Sequence, residues 1–313
     1  MAAPSDDWPA LPFAAWQDSC ATLQLWTQIV GKIRLAQTPW LNHSWHTTLY
    51  VTARGLTTSL IPYGSRTFSL DFDFVEHQLL IRTDGGAQRS VALRPRSVAD
   101  FYAATKQALR ELGIDVRISR QPNEIPGAVP FDQDTVHAFY DAHYVQRFWR
   151  VLVQVDRVFK AFRTGFVGKV SPVHFFWGSF DLAVTRFSGR RAPLHPGGIP
   201  NLPDAVVREA YSHEVSSAGF WPGGGDVDAA FYSYAYPEPP GFAAAKVAPA
   251  PAAYSDQLKE FLLPYEAVRI APDPDSVLMA FLISNYEAAA NLGQWDRAAL
   301  ECALGVARRP RKV

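Results

Sequence analysis

The chain has 313 residues, with 30 basic and 30 acidic side chains, 48% hydrophobic residues and 19% charged ones. That much apolar material supplies a core and excludes a disordered chain. The balanced charge excludes a general nucleic-acid or anionic-membrane binder, which needs a net basic surface. No apolar run reaches about 18 residues, so no membrane span is expected. Residues 1–7 lack an apolar signal core, so the expected location is the cytoplasm.

Residues 8–13 (WPALPF) form a Pro-punctuated lead-in to a helix over about residues 14–36, ended by Pro39. Leu25, Trp26, Ile29, Val30 and Ile33 fall on one face of that helix. Short runs of strand character follow at residues 45–52, 56–61, 67–74, 78–83 and 89–93. Alternation in FSLDFDF (residues 68–74) marks a half-buried strand, and Asp84-Gly85 marks a hairpin turn. Residues 97–112 read as a helix capped by Ser97 and stopped by Gly113, and residues 116–118 as one more strand. Three prolines in residues 122–130 read as a linker.

A second long helix is expected over residues 141–163. Strand-rich segments follow at residues 173–187, 210–220 and 231–236. They are separated by the glycine loops His195-Pro-Gly-Gly198 and Trp221-Pro-Gly-Gly-Gly225. Residues 237–251 are a Pro/Ala-rich loop, residues 276–292 a helix closed by Gly293, and residues 308–312 a basic, frayed end.

The order long helix, meander, helix occurs twice. Leu25-Trp26 matches Phe148-Trp149, Ser97-Val98 matches Ser276-Val277, and His46 matches His174 at equal distances from Thr57 and Thr185. The expectation is therefore an α+β protein of two related helix–β-meander–helix halves with mainly antiparallel sheet. Its parts are a first half at residues 1–121, a linker at 122–130, a second half carrying the site at 131–300, and a basic tail at 301–313.

Chemistry-bearing residues concentrate in the second half. His174, Trp177, Ser179 and Asp181 are read on one strand. Period-two alternation then places Trp177, Ser179 and Asp181 on one face and His174 on the other. His213 stands beside Glu214, and Asn42-His43-Ser44-Trp45-His46 carries two histidines. Tyr232, Tyr234 and Tyr236 share a strand face, and with Trp221 they suit the wall of a ligand pocket.

Three readings follow. His174 or His213 with Glu214 or Asp181 as partner gives acid–base catalysis. His46 or His43 with His174, His213 and Glu214 gives a zinc or iron site, although the spacings match no metal signature. The third is a set of hydrogen-bonded core histidines, or contacts to a ligand that is not turned over. The glycine loops match neither the Walker nor the GxGxxG pattern, and no Gly-x-Ser-x-Gly elbow is present. Cys20 and Cys302, the only cysteines, make neither a disulfide framework nor a zinc cluster. The favoured expectation is a small-molecule-binding protein whose pocket is lined by Trp177, Ser179, Trp221, Tyr232, Tyr234, Tyr236 and His46. His174, His213, Glu214 and Asp181 are its candidate catalytic residues. The residues specify no cofactor and no oligomeric state.

The strings HTTLYVTARGLTTSLIP (residues 46–62), SPVHFFWGSFDLAVTRFSGR (171–190), SHEVSSAGFWPGG (212–224), FYSYAYPEP (231–239) and EFLLPYEAVR (260–269) resemble a bacterial family known only as a domain of unknown function. The resemblance covers about residues 8–300 and implies no activity, cofactor or partner. It departs at Ser44-Trp45, where two consecutive aromatics are expected.

Overall fold

A computed structural model of the protein describes residues 7–311. Helix α1 (Gln17–Gln37) leads into a short 3-10 turn at Asn42–Ser44. Six strands follow: β1 (Tyr50–Thr52), β2 (Gly55–Thr57), β3 (Ile61–Tyr63), β4 (Arg66–Asp73), β5 (Gln78–Thr83) and β6 (Gln88–Ala92). They form an antiparallel sheet in the order β1-β2-β4-β5-β6, with β3 pairing the other end of β4. Helix α2 (Val98–Glu111) then covers the sheet. As the sequence implies, the Ser97 hydroxyl caps it, accepting from the Asp100 N–H at 3.0 Å.

The second half opens with α3 (Ala142–Arg163), capped by the Asp141 carboxylate. Its sheet uses β7 (His174–Phe176), β8 (Asp181–Arg191), β9 (His213–Gly224), β10 (Val227–Tyr236), β11 (Ala253–Ser255) and β12 (Glu260–Pro264). The order is β11-β12-β10-β9-β8-β7, again antiparallel. Helix α4 (Asp204–Ala210) is inserted between β8 and β9. Helices α5 (Tyr265–Arg269), α6 (Pro274–Leu292) and α7 (Arg297–Leu300) complete the chain.

The fold is thus mixed α+β with two antiparallel sheets. The two halves share an order of elements, but no internal duplication is established by it. His46 and His174 in particular are not equivalent: His174 opens β7, whereas His46 lies in the turn before β1. The sheets meet edge to edge, where Leu49 and Phe175 exchange two backbone hydrogen bonds of 2.8 and 2.7 Å.

Several local expectations change. Residues 116–118 form no strand. The Trp221–Gly225 segment is not a loop, because β9 runs on to Gly224. Residues 45–49 do not join β1, because the 3-10 turn precedes them. Arg311 folds back to donate to the Thr164 carbonyl, so the tail is seated as far as the described residues reach; Lys312 lies outside them.

The largest change concerns α1. Its sequence shows one apolar stripe, yet Ser19, Cys20 and nearly every residue from Thr22 to Arg34 are buried. A helix buried all round must be covered on every side. One side packs on the first half, where Trp26 stacks on Phe101 at 4.5 Å. The other side faces the second half, where Gln24 donates to the Gly178 carbonyl and Trp16, just ahead of the helix, meets Phe148 at 5.2 Å. Polar residues on that second side, Gln28 and Lys32, are buried and bonded to Asn123. Among the described residues no helix is long and apolar enough to cross a membrane.

Candidate functional site

One face of the second sheet has open space between it and the elements that stand over it. That face forms the floor of a cavity of about 830 Å³, within the range of small-molecule sites. The period-two rule selects the floor: His174 and Phe176 from β7, Asp181, Ala183, Thr185 and Phe187 from β8, Ser217 and Trp221 from β9, Tyr232 and Tyr234 from β10, Glu260 and Leu262 from β12. Helices α1 and α4, the 3-10 turn, and the segments near residues 119–124 and 199–203 form the walls.

His174, Trp177, Ser179 and Asp181 do not lie on one strand. Strand β7 ends at Phe176 and β8 begins at Asp181. Residues 177–180 make the turn between them, with Phe180 at φ +60°. The turn changes the parity, so His174, paired with Ala183, lies on the same face as Asp181. The turn is also pinned. The Trp177 indole N–H donates to the Thr47 carbonyl at 2.8 Å, and Gln24 of α1 donates to the Gly178 carbonyl at 2.7 Å. The Trp177 ring lies flat on α1 at Gly31, where a Cβ would stand 2.2 Å from the indole.

Asp181 is 5% exposed and accepts from the Ser179 and Tyr232 hydroxyls. Tyr232 belongs to β10, two strands away. It reaches Asp181 because Gly219 of β9, its register partner, has no side chain. A Cβ there would meet the Tyr232 hydroxyl at 2.3 Å. Burial holds the Asp181 carboxyl above the usual range, and the two hydroxyls partly offset this.

Two further carboxylates face the same cavity. Glu124 lies in the segment expected to be a linker, with its carboxyl against Gly178, where a Cβ would stand 1.9 Å from Oε1. Burial, with the neighbouring Asp181, pushes its pKa up to about 7. Glu260 is likewise raised to about 7 by burial and Asp181. No basic side chain lowers any of the three.

Residues 123–125 are held in place by exchange with the 199–203 loop. Glu124 N–H donates to Pro200 at 2.9 Å, Asn123 Nδ2 to the Asn201 carbonyl at 2.6 Å, and Asn201 Nδ2 to the Ile125 carbonyl at 2.9 Å. Both Glu124 and Asn201 adopt positive φ, +62° and +54°. Lys32, whose pKa is lowered by burial to about 8, donates to the Asn123 side chain and lies 5.9 Å from the Trp177 ring centroid.

The histidines separate. His174 is 1% exposed, and neither ring nitrogen has a partner among the described residues. Burial, with Arg34 and Arg163 nearby, lowers its pKa to about 3, so the ring is neutral. His43 also lines the cavity but is fully bonded. Lys169 donates to its Nε2 at 2.6 Å, so the proton sits on Nδ1, which donates to Ala210 at 2.6 Å.

His46 lies outside the cavity, packed on Trp40 at 4.6 Å with Nδ1 3.2 Å from Leu41 backbone atoms. His213 and Glu214 do not pair, because neighbours on a strand point to opposite faces. The His213 ring sits 6.0 Å from His43, and Glu214 binds Arg190 at 2.7 Å and Ser188 at 2.8 Å. Neither lines the cavity. Tyr236 also leaves it, packing on His195 at 5.0 Å and donating to Pro193.

The structure therefore brings together His174, Trp177, Ser179, Asp181, Trp221, Tyr232 and Tyr234. It separates them from His46, His213, Glu214 and Tyr236. The metal set His46, His174, His213 and Glu214 is not assembled, and no group of three or more His, Cys, Asp or Glu able to hold a metal occurs among the described residues. Among the described residues that line the cavity, no histidine side chain is hydrogen-bonded to a carboxylate. The acids there answer to one another and to hydroxyls.

Sequence reasoning passed over Glu124, Glu260 and Lys32. For Glu260 a signal existed: Glu-Phe-Leu-Leu-Pro bears a lone charge at the head of a short strand. For Glu124 the signal was weaker, an acid between two prolines in a stiff segment too short to be a free linker.

A family model described as "Family of unknown function (DUF5996)" matches residues 8–302, nearly the whole chain. The chain belongs to this family. No curated protein and no solved structure matches it.

Proposed function

We propose that this family member binds a small organic molecule in the cavity between α1 and the second sheet. The observation that carries the reading is the contrast between the cavity walls and the polar groups in them. The walls are mainly aromatic and aliphatic, yet they hold a buried imidazole with two unpaired nitrogens and three carboxylates without a basic partner. An unpaired buried polar group such as the His174 imidazole costs on the order of 1–3 kcal/mol. A ligand that supplies the missing partners recovers that energy.

The test is a thermal-shift screen with ring-containing small molecules, because a ligand of the folded state raises Tm by mass action. Hits are expected for the native protein and absent in Ala183→Trp, which fills the cavity floor beside His174. Hits that persist in Ala183→Trp, with its fold intact by circular dichroism, would place binding elsewhere.

Glu124 and Asp181 favour a second reading, general acid–base chemistry on the bound molecule. A carboxyl poised near neutrality next to a second one can hold a proton or release it. Under this reading, conversion of a screening hit, followed by mass spectrometry, stops in Asp181→Asn and continues in His213→Ala. Equal conversion in Asp181→Asn sinks it.

A further inference from the structure

We propose that the cavity takes an organic ammonium, a ring-bearing molecule whose protonated nitrogen sits against the Glu124 and Asp181 carboxylates. This inference rests on the ligand-binding reading above and specifies its chemistry. Three observations converge on it.

The first is charge. Glu124, Asp181 and Glu260 all face the cavity, and among the described residues that line it Lys32 is the one Lys or Arg. Lys32 is already engaged, donating to Asn123 and lying over Trp177. Asp181 accepts only from neutral hydroxyls. An incoming anion faces three carboxyl groups, and a neutral molecule brings no counter-charge to favour their ionised forms. A cation supplies what is missing, and a partly desolvated charge pair of this kind is strong.

The second is the nature of the walls. Trp45, Trp177, Trp221, Tyr232 and Tyr234 present rings to the cavity, with Tyr232 and Tyr234 stacked at 6.1 Å. Aromatic faces attract ammonium groups through the ring quadrupole, more strongly where water is excluded. Trp177 already does so for the Lys32 ammonium.

The third is His174 and is independent of the acids. Its ring is buried and neutral, its nitrogens are unpartnered, and it shares the sheet face with Asp181. With His174 paired to Ala183, Asp181 is its diagonal neighbour, about 7–8 Å away. A ligand whose nitrogen meets Asp181 therefore has a second polar group within reach of the imidazole, which offers one donor and one acceptor.

The experiment is a titration followed by tryptophan fluorescence, using phenethylammonium, phenethyl alcohol as its uncharged counterpart, and 3-phenylpropionate as the anion. Phenethylammonium is expected to bind about tenfold or more tighter than the alcohol, a factor equal to about 1.4 kcal/mol. 3-Phenylpropionate is expected to bind more weakly than either. Glu124→Gln and Asp181→Asn should each shrink the ammonium-to-alcohol preference to about twofold or less. Glu124 is partly exposed, so Glu124→Gln keeps the test alive even where Asp181→Asn does not fold.

Equal or tighter binding of the alcohol or the anion, lost in Ala183→Trp, overturns the ammonium assignment and leaves the ligand-binding reading standing. No binding by any of the three overturns the ammonium assignment, and an empty thermal-shift screen alongside it removes the ligand-binding reading as well.

Discussion

Glu124 carries a cost that its environment does not offset. Burial and Asp181 raise its pKa from the ordinary carboxylate value to about 7 in the folded chain, whereas the unfolded value is about 4.3. Between those values the unfolded chain has released the proton and the folded chain retains it. Stability from this group is therefore full at low pH and is lost as pH rises from about 4 to about 7. Glu124→Gln is expected to raise Tm measurably at about pH 8 and to leave it unchanged at about pH 4. An unchanged Tm at both values, or a loss at the higher one, contradicts the uncompensated carboxylate. A group that destabilises the protein in which it sits is what a site poised for a ligand looks like, since function and stability commonly pull against each other at such positions.

At the scale of elements, the contact between α1 and the β7–β8 turn sets the shape of the cavity. Gly31 sits inside a helix, where Ala is ordinarily favoured by about 0.8–1 kcal/mol. Here the Trp177 indole occupies the place a Cβ would take. Gly31→Ala is expected to lower stability by roughly 1–3 kcal/mol, the usual range for overpacking, measured by denaturant midpoint. A rise in the midpoint, as propensity alone predicts, contradicts the packing described. Gly219 has the same relation to Tyr232, so its role is to let one side chain pass over β9 to reach β8.

These relations explain what was and was not legible in the sequence. Helices α1, α2 and α3, the Ser97 cap, the Asp84–Gly85 turn and the strand content of both halves follow from local periodicity and turn chemistry. Trp177, Asp181 and Tyr232 were recognisable as unusual residues in a strand-rich region. The partner of each was not, because Gly31 and Gly219 contribute by having no side chain. The parity change at residues 177–180 was hidden too, since Trp-Gly-Ser-Phe continues an apolar alternation while the backbone turns at Phe180. Glu124 acts through a neighbour 57 positions away in sequence, Asp181, and local patterning carries no information about that pairing.

At the scale of the molecule, the two halves are bound into one core. Buried residues from both belong to a single hydrophobic cluster. The Trp149 indole of α3 donates to Thr52 of β1, and the Asp141 backbone N–H donates to Ser19 of α1. Residues 1–121 expressed alone would expose Trp16 and the surface of α1 around Gly31 that Trp177 covers, at about 25 cal/mol per Å² of apolar area. That fragment is expected to give a collapsed or unfolded nuclear magnetic resonance spectrum, and a well-dispersed one contradicts a shared core. The arrangement also gives the cavity its two walls: α1, from one half, stands over the sheet of the other.

What the proposal requires of the molecule is that this cavity hold an organic molecule against Asp181 and Glu124. A crystal structure of the protein grown with phenethylammonium tests it most directly. The probe is expected between Trp177 and Tyr232, with its nitrogen at hydrogen-bonding distance, about 2.7–2.9 Å, from a carboxylate oxygen of Asp181 or Glu124. A cavity filled by rearranged side chains, or a probe found only elsewhere on the protein, contradicts it.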